Sequence, residues 1–201
     1  MSRPEQSGNN GDDLATLKRI FGQLDYHVGV LEPETAQRMR EQAKGPPEGW
    51  MTPDDTARTK IFRVRKHKIG VLVFPLCTDN TDYSGIAALA EKLREETSLL
   101  IGLSPWGANR EKEFLQQRPG AVDVLLGSGS GPSFKAKFPN SGKTLWIRAY
   151  SEGKAIHRID IADLGPRNKQ KTWIPGKNCS VRLIMLEQSI PRNPSILEIL
   201  R

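Results

Sequence analysis

The sequence predicts an α/β fold, and three observations carry that prediction. Between residues 60 and 126, strand-like and helix-like stretches alternate: "KIFRV", "KIGVLVFPL", a helix, "SLLIGL", a helix, "VDVLL". This is the rhythm of stacked βαβ units. "KIGVLVFPL" is apolar almost throughout, as suits a strand covered on both faces. Loops rich in Gly, Ser, Pro and Asp begin at Cys77, Ser104 and Gly127, where strands end, and in such folds ligand sites lie at the strand C-termini.

The elements follow in order. Residues 1–12 are polar and Gly/Asn-rich, the composition of a disordered lead. Asp13 to Phe21 sets Leu14, Leu17, Ile20 and Phe21 at helical spacing, and "LDYHVGVL", residues 24–31, reads as strand-like. "EPETAQRMREQAK" opens a helix with Pro33 near its start and acidic residues in the first turn, and "GPPEGW" stops it. After the paired strands around the basic turn, "CTDNTDYSG" leads into a helix from Ile86 to Glu96. "SLLIGL", the loop "SPWG", the helix "NREKEFLQQRPG" and "VDVLL" complete the alternation. Beyond it, "KAKFPNSGKTLWIRAYSEGKAIHRIDIADL" predicts hairpins turning at "NSGK" and "SEGK". "SVRLIMLEQS" is one more strand, and "IPRNPSILEILR" a short Pro-punctuated helix.

A chain of 201 residues with 37% hydrophobic and 26% charged residues is sized for one domain with a single core. Its formal net charge of +7 admits acidic partners without requiring them. The densest basic stretch, "RTKIFRVRKHK" from Arg58 to Lys68, flanks Ile61, Phe62 and Val64, and reads as the solvated side and turn of a hairpin. Nucleic acid is not the expected partner. Cys77 and Cys179 form no metal-binding or disulfide spacing. The start, "MSRPEQSGNNGDD", has no apolar signal core, and no run reaches the length of a membrane span, so a cytoplasmic address is expected for the chain as it stands.

Few motifs carry chemistry. "NSGKT" resembles the end of a phosphate-binding loop, but Lys137 stands where the first glycine is needed and no helix follows. His27, His67 and His157 lie in different elements at no ligand spacing. Cys77 ends a buried strand, where a thiol serves either as a redox group or as a small core residue. Asp79, Asp82 and Asp123 are candidate carboxylates, although Asp79 and Asp82 share a loop where Asp is ordinary turn chemistry. Trp106 either stacks on a ring or covers the sheet edge. The loop "GSGSG" has no catalytic side chain beyond Ser128 and Ser130.

The order "KIGVLVFPL", "LLIGLSPWG", "VDVLLGSGSG", "TLWIRAYSEGKAIHRIDI", "IPRNPSILEIL" resembles the catalytic domain of the 5'-nucleotidase and UDP-sugar hydrolase branch of the calcineurin-like metallophosphoesterases. The resemblance implies a metallo-dependent phosphatase-like four-layer αββα sandwich over residues 13–201. The first strands of that sandwich would be missing, as would the family's separate C-terminal domain. In the family, His and Asn at strand ends hold two divalent metals that generate the nucleophilic water and clamp the phosphoryl group. Carried over residue by residue, the GNHE-like place falls on Leu31 to Glu34, so the metal-binding Asn and catalytic His become Glu32 and Pro33. The histidine after Ser104 becomes Pro105, and the two of the last motif become Gly129 and Gly131.

Proline and glycine have no imidazole, so the resemblance implies a scaffold that has lost its two-metal site, and no cofactor is expected. The leading expectation is a non-catalytic binding or scaffold protein, with an unidentified ligand or protein partner at the strand C-terminal face. There Ser104, Trp106, Gly127, Ser128 and Ser130 form a candidate anion loop through their backbone N–H groups. Two alternatives stand beside it. One is an active phosphohydrolase completed by an upstream segment, using Asp25, His27, Glu32, Glu34 or Asp79. The other is a thiol redox protein built on Cys77. An upstream segment would also reopen a periplasmic or cell-surface address.

Overall fold

The computed structural model describes residues 10–24, 26–54, 56–150, 153–164 and 169–200. The chain divides into two compact units, one formed by residues 1–52 with 189–201 and the other by residues 53–188.

In the first unit, α1 (Asn10–Gln23) extends beyond the expected helix at both ends. Leu14 is buried from it, with Leu17 and Phe21 packed alongside Leu31, Ala36, Met39 and Ala43. Pro33 opens α2 (Pro33–Gln42), where its missing N–H costs nothing. The Lys18 ammonium donates to the carbonyls of Ala43 and Lys44 at 2.9 and 3.0 Å, a cation at the negative end of α2. α6 (Pro194–Ile199), capped by the Asn193 side chain, lies beside α1.

Strand structure in residues 24–31 shrinks to β1 (Gly29–Val30), which pairs in parallel with β2 (Trp50–Met51). The local reason is the Trp50 ring, which stacks on Phe21 at 4.4 Å and meets Tyr26 edge-on at 5.7 Å. It covers Gly29 so closely that any Cβ there would strike the indole. The pairing then stops, because Glu32 and Pro33 begin a helix.

The second unit is a six-stranded mixed sheet. It contains β3 (Arg58–Val64), β4 (His67–Val73), β5 (Leu99–Ser104), β6 (Val124–Gly127), β7 (Phe134–Lys137) and β8 (Leu145–Arg148), in the spatial order β3-β4-β5-β6-β8-β7. β4, β5, β6 and β8 run parallel, and the edge strands β3 and β7 run antiparallel to their neighbours. α3 (Tyr83–Glu96) links β4 to β5. Its start at Tyr83 is set by Asp82, whose carboxylate accepts the N–H groups of Ser84 and Gly85 at 2.9 Å. α4 (Ala108–Gln117) links β5 to β6.

Tyr83, Ile86, Ala90 and Leu93 of α3 and Phe114 and Leu115 of α4 pack on Leu72, Phe74, Leu100, Leu125 and Trp146 of the sheet side. On the opposite face, Ile69, Leu99, Val124, Leu145 and Ile147 meet Trp173, Cys179 and Val181. That second layer is an antiparallel ribbon of β9 (Ala155–Ile161) and β10 (Cys179–Met185).

The expected chain of hairpins is therefore half correct. β7 and β8 do pair across the "NSGK" turn, now α5 (Pro139–Gly142) with Asn140 and Ser141 at φ 54 and 56. β8 is also parallel to β6, and β9 pairs with β10 instead of β8. The burial pattern explains this: "LWIR" is buried at every position and needs neighbours on both sides, while "AIHRIDI" exposes alternate residues over its first half and suits a surface ribbon. Ser151 and Glu152 of "SEGK" lie outside the described residues.

Candidate functional site

The loops after β4, β5 and β6 share one end of the sheet, the C-terminal end of its parallel strands. Two of them are laced together by main-chain bonds. Ser128 N–H donates to Ser104 O at 2.8 Å, Gly107 N–H to Ser128 O at 2.9 Å, and Ala108 N–H to Ser130 O at 2.8 Å. The Ser128 hydroxyl adds a bond to Ser104 O at 3.1 Å, and Trp106 N–H donates to the Ser104 hydroxyl at 3.2 Å. Ser104, Trp106, Gly127, Ser128 and Ser130 are thus brought together, with Ser104, Trp106 and Gly127 buried and Ser128 and Ser130 facing solvent.

The glycines of this loop have a steric reason. Gly129 and Gly131 sit at φ 75 and 106, a region that L side chains avoid. A Cβ on Gly129 would lie 2.5 Å from Pro105 O, and one on Gly131 would lie 2.7 Å from the Ala108 Cβ. Gly129 lies against the backbone of Pro105 and Gly107, and Gly131 against Ala108. Glu32 and Pro33 fall in the other unit, at the exposed start of α2.

Beneath the loop lies a buried ion pair that the sequence reading missed. The Arg148 guanidinium, from the end of β8, stands 2.7 Å from the Glu111 carboxylate of α4, with side chains 2% and 0% exposed. The alignment of that contact falls short of a hydrogen bond. Arg148 donates instead to three loop carbonyls: Gly129 and Ser130 at 2.8 and 2.9 Å, and Pro132 at 3.1 Å. The other Glu111 oxygen accepts the Trp146 indole N–H at 2.8 Å. Gly127 makes room for this carboxylate, since a Cβ there would overlap it. Burial pushes the Glu111 carboxyl above its ordinary range, against the opposing pull of Arg148, Trp146 and Ser104. A signal for both residues existed: an acid on the buried stripe of "NREKEFL" and a base closing the apolar run "LWIR".

Trp106 neither caps the sheet edge nor offers a face to solvent. It is buried against Phe74, Tyr83 and Phe114 at 4.7, 5.4 and 5.8 Å, and its indole N–H donates to Pro75 O at 2.6 Å. Cys77 is partly buried, its sulfur 3.7 Å from the Thr81 hydroxyl and 3.9 Å from Thr78 O. Ser128 and Ser130, the hydroxyls a Cys77 redox site would draw on, bond to Ser104, Gly107 and Ala108.

The remaining candidates have other places. Asp79 is exposed and pairs with Arg110 at 2.9 Å, and Asp82 caps α3. Asp123 sits just before β6, at the opposite end of the sheet. There it binds Arg94 at 2.7 Å and Leu100 N–H at 2.8 Å. His27 and Glu34 are exposed in the first unit, and Asp25 lies outside the described residues. His157 stacks on Tyr150 at 5.9 Å. Among the described residues no three His, Cys, Asp or Glu side chains are grouped to hold a metal ion, and no helix is long and apolar enough to cross a membrane.

An open groove of about 600 Å³ runs beside the end of β4, lined by Leu76, Thr78, Thr81, Asp82, Ile86 and Leu89. It combines apolar walls with hydroxyl and carboxylate groups, the make-up of a binding surface.

No family model matches the chain, and no curated protein does. Among solved structures it is similar to a hypothetical protein from Thermus thermophilus, at 13% identity and a TM-score of 0.43 over 68% of this chain and 69% of that one. It is also similar to a novel phosphatase from Mycoplasma pneumoniae, at 12% identity and a TM-score of 0.39 over 70% of this chain and 66% of that one.

Proposed function

We propose that this chain is a metal-less relative of the calcineurin-like metallophosphoesterases, of the 5'-nucleotidase branch, in which the αββα scaffold serves binding instead of hydrolysis. The ligand or partner meets the strand C-terminal face, beside the groove at the end of β4. The single observation that carries this reading is the close packing of Gly129 on Pro105 and of Gly131 on Ala108. Two of the positions that the resemblance assigns to imidazoles are glycines whose missing side chains leave no room for a methyl group, let alone a ring. Arg148, paired with Glu111, holds the loop carbonyls from below, so those oxygens are already engaged.

The test is metal content and turnover on the purified chain. Equilibration with Mn, Zn, Fe or Ni followed by gel filtration is expected to leave no stoichiometric metal, and incubation with nucleotides to release no phosphate. Two equivalents of bound metal together with phosphate release would overturn the reading. Gly129→His is expected to lower stability without creating a metal site, because the new side chain must displace Pro105 before it can reach any ion.

A further inference from the structure

At the opposite end of the sheet from these loops, the turn between β3 and β4 concentrates charge. Residues 58–68 contain six Lys or Arg and no acid. Arg63, Arg65 and Lys66 have no acidic partner among the described residues, and Lys68 reaches only Glu96, at 4.0 Å. The fold accepts a cost here: Arg63 stands directly across from Lys68 in the antiparallel register, where like charges repel. Arg65 also holds the turn at φ 53, a conformation better suited to glycine or asparagine. Two aliphatic side chains are exposed among these cations, Ile61 at 38% and Val64 at 43%. Phe62, by contrast, is turned into the core under the sheet.

We propose that this hairpin tip docks on an anionic phospholipid surface. Arg63, Arg65, Lys66 and Lys68 face the headgroup charges, while Val64, at the end of β3 beside the turn, enters the interfacial layer. Charge complementarity sets the class of partner, since juxtamembrane basic clusters are drawn to acidic lipids. The exposed aliphatic side chain beside the turn selects lipid over nucleic acid. Val64 gains by leaving water for the acyl boundary, whereas a phosphate backbone offers it no apolar layer and single-strand binders add aromatic platforms. Residues 58–68 present no exposed aromatic ring for such a platform. Docking here leaves the loops at the other end of the sheet free.

The experiment is vesicle sedimentation of the full chain. Binding is expected to phosphatidylcholine vesicles containing roughly one-third phosphatidylserine and not to pure phosphatidylcholine, and it should weaken as salt rises. Replacing three cations together, Arg63→Gln, Arg65→Gln and Lys66→Gln, is expected to weaken binding on the order of 100-fold. Val64→Ser should weaken it several-fold while leaving any oligonucleotide binding unchanged. Circular dichroism on each variant checks that the fold is kept. Failure to sediment with anionic vesicles overturns the proposal, as does a triple variant that binds as tightly as the parent. Tighter binding to an oligonucleotide of equal phosphate content overturns the choice of lipid. If the parent ignores vesicles and the triple variant aggregates, the cations serve only to protect the edge strand β3 from pairing.

Discussion

Each end of the central sheet carries a buried arginine–carboxylate pair, and the two pairs are built differently. At the start of the parallel strands, Arg94 binds Asp123 at 2.7 Å and also donates to the carbonyls of Gly120 and Ala121. The second Asp123 oxygen accepts Leu100 N–H, and the Arg94 side chain keeps 15% of its surface in water. At the finishing end, Arg148 and Glu111 are both removed from solvent, and one Glu111 oxygen has only the ion pair for company. Both arginines spend their remaining N–H groups on loop carbonyls. The first pair is a satisfied joint between α3 and the sheet. The second depends on each partner to neutralise the other, and it is the one that holds the Gly/Ser loop closed.

That difference predicts unequal consequences, and the largest should come from Arg148. Arg148→Met leaves Glu111 buried with no cation and the carbonyls of Gly129, Ser130 and Pro132 without that donor. A loss of about 3–5 kcal/mol in urea denaturation is expected. Adding Glu111→Leu should recover part of it, because the stranded charge is removed while the three carbonyls still lack their donor. A double variant as unstable as the single one would assign the cost to those carbonyls and not to the stranded carboxylate.

Arg94→Met is expected to cost less, about 1–3 kcal/mol by the same measurement. Asp123 keeps its bond from Leu100 N–H. Burial lowers the Lys171 pKa while Asp123 opposes that shift, which marks the interaction between them. An Arg94 variant that loses more than the Arg148 variant would reverse the comparison.

The smallest effect is a slope with pH. Burial, the largest influence on Glu111, raises its pKa in the folded protein, so the native state holds this proton more tightly than the unfolded chain. The resulting stabilisation is complete below the ordinary glutamate range and is lost as pH rises toward the folded-state value. Denaturation curves taken upward in pH from the ordinary glutamate range should show that decline, and Glu111→Gln should remove it from the profile. An identical slope in both proteins would assign the effect to another group.

The alternating segments from β3 through β6 were legible in the sequence because each is governed by local composition. The uninterrupted apolar run of β4 and the Ala/Leu/Glu stretch of α3 leave little choice of partner type. β8 was legible as a strand but not in its place. Four residues buried on both faces state that neighbours exist on either side, not that β6 and β7 supply them. The candidate site divides in the same way. Gly129 and Gly131 announced a loop without ligands, while the guanidinium that fastens it comes from a residue 17 positions beyond Gly131.

By itself the sequence determined the alternation of strands and helices from β3 to β6 and which positions have no imidazole. Those are consequences of side-chain volume, branching and backbone freedom, which act within a few residues. Only the tertiary structure decided that Glu111 and Arg148 meet, that Gly127 yields space to a carboxylate, and that Gly129 lies against Pro105. These contacts join elements tens of residues apart in the chain. Their energies come from removing charge and carbonyl groups from water together, a condition no local pattern specifies.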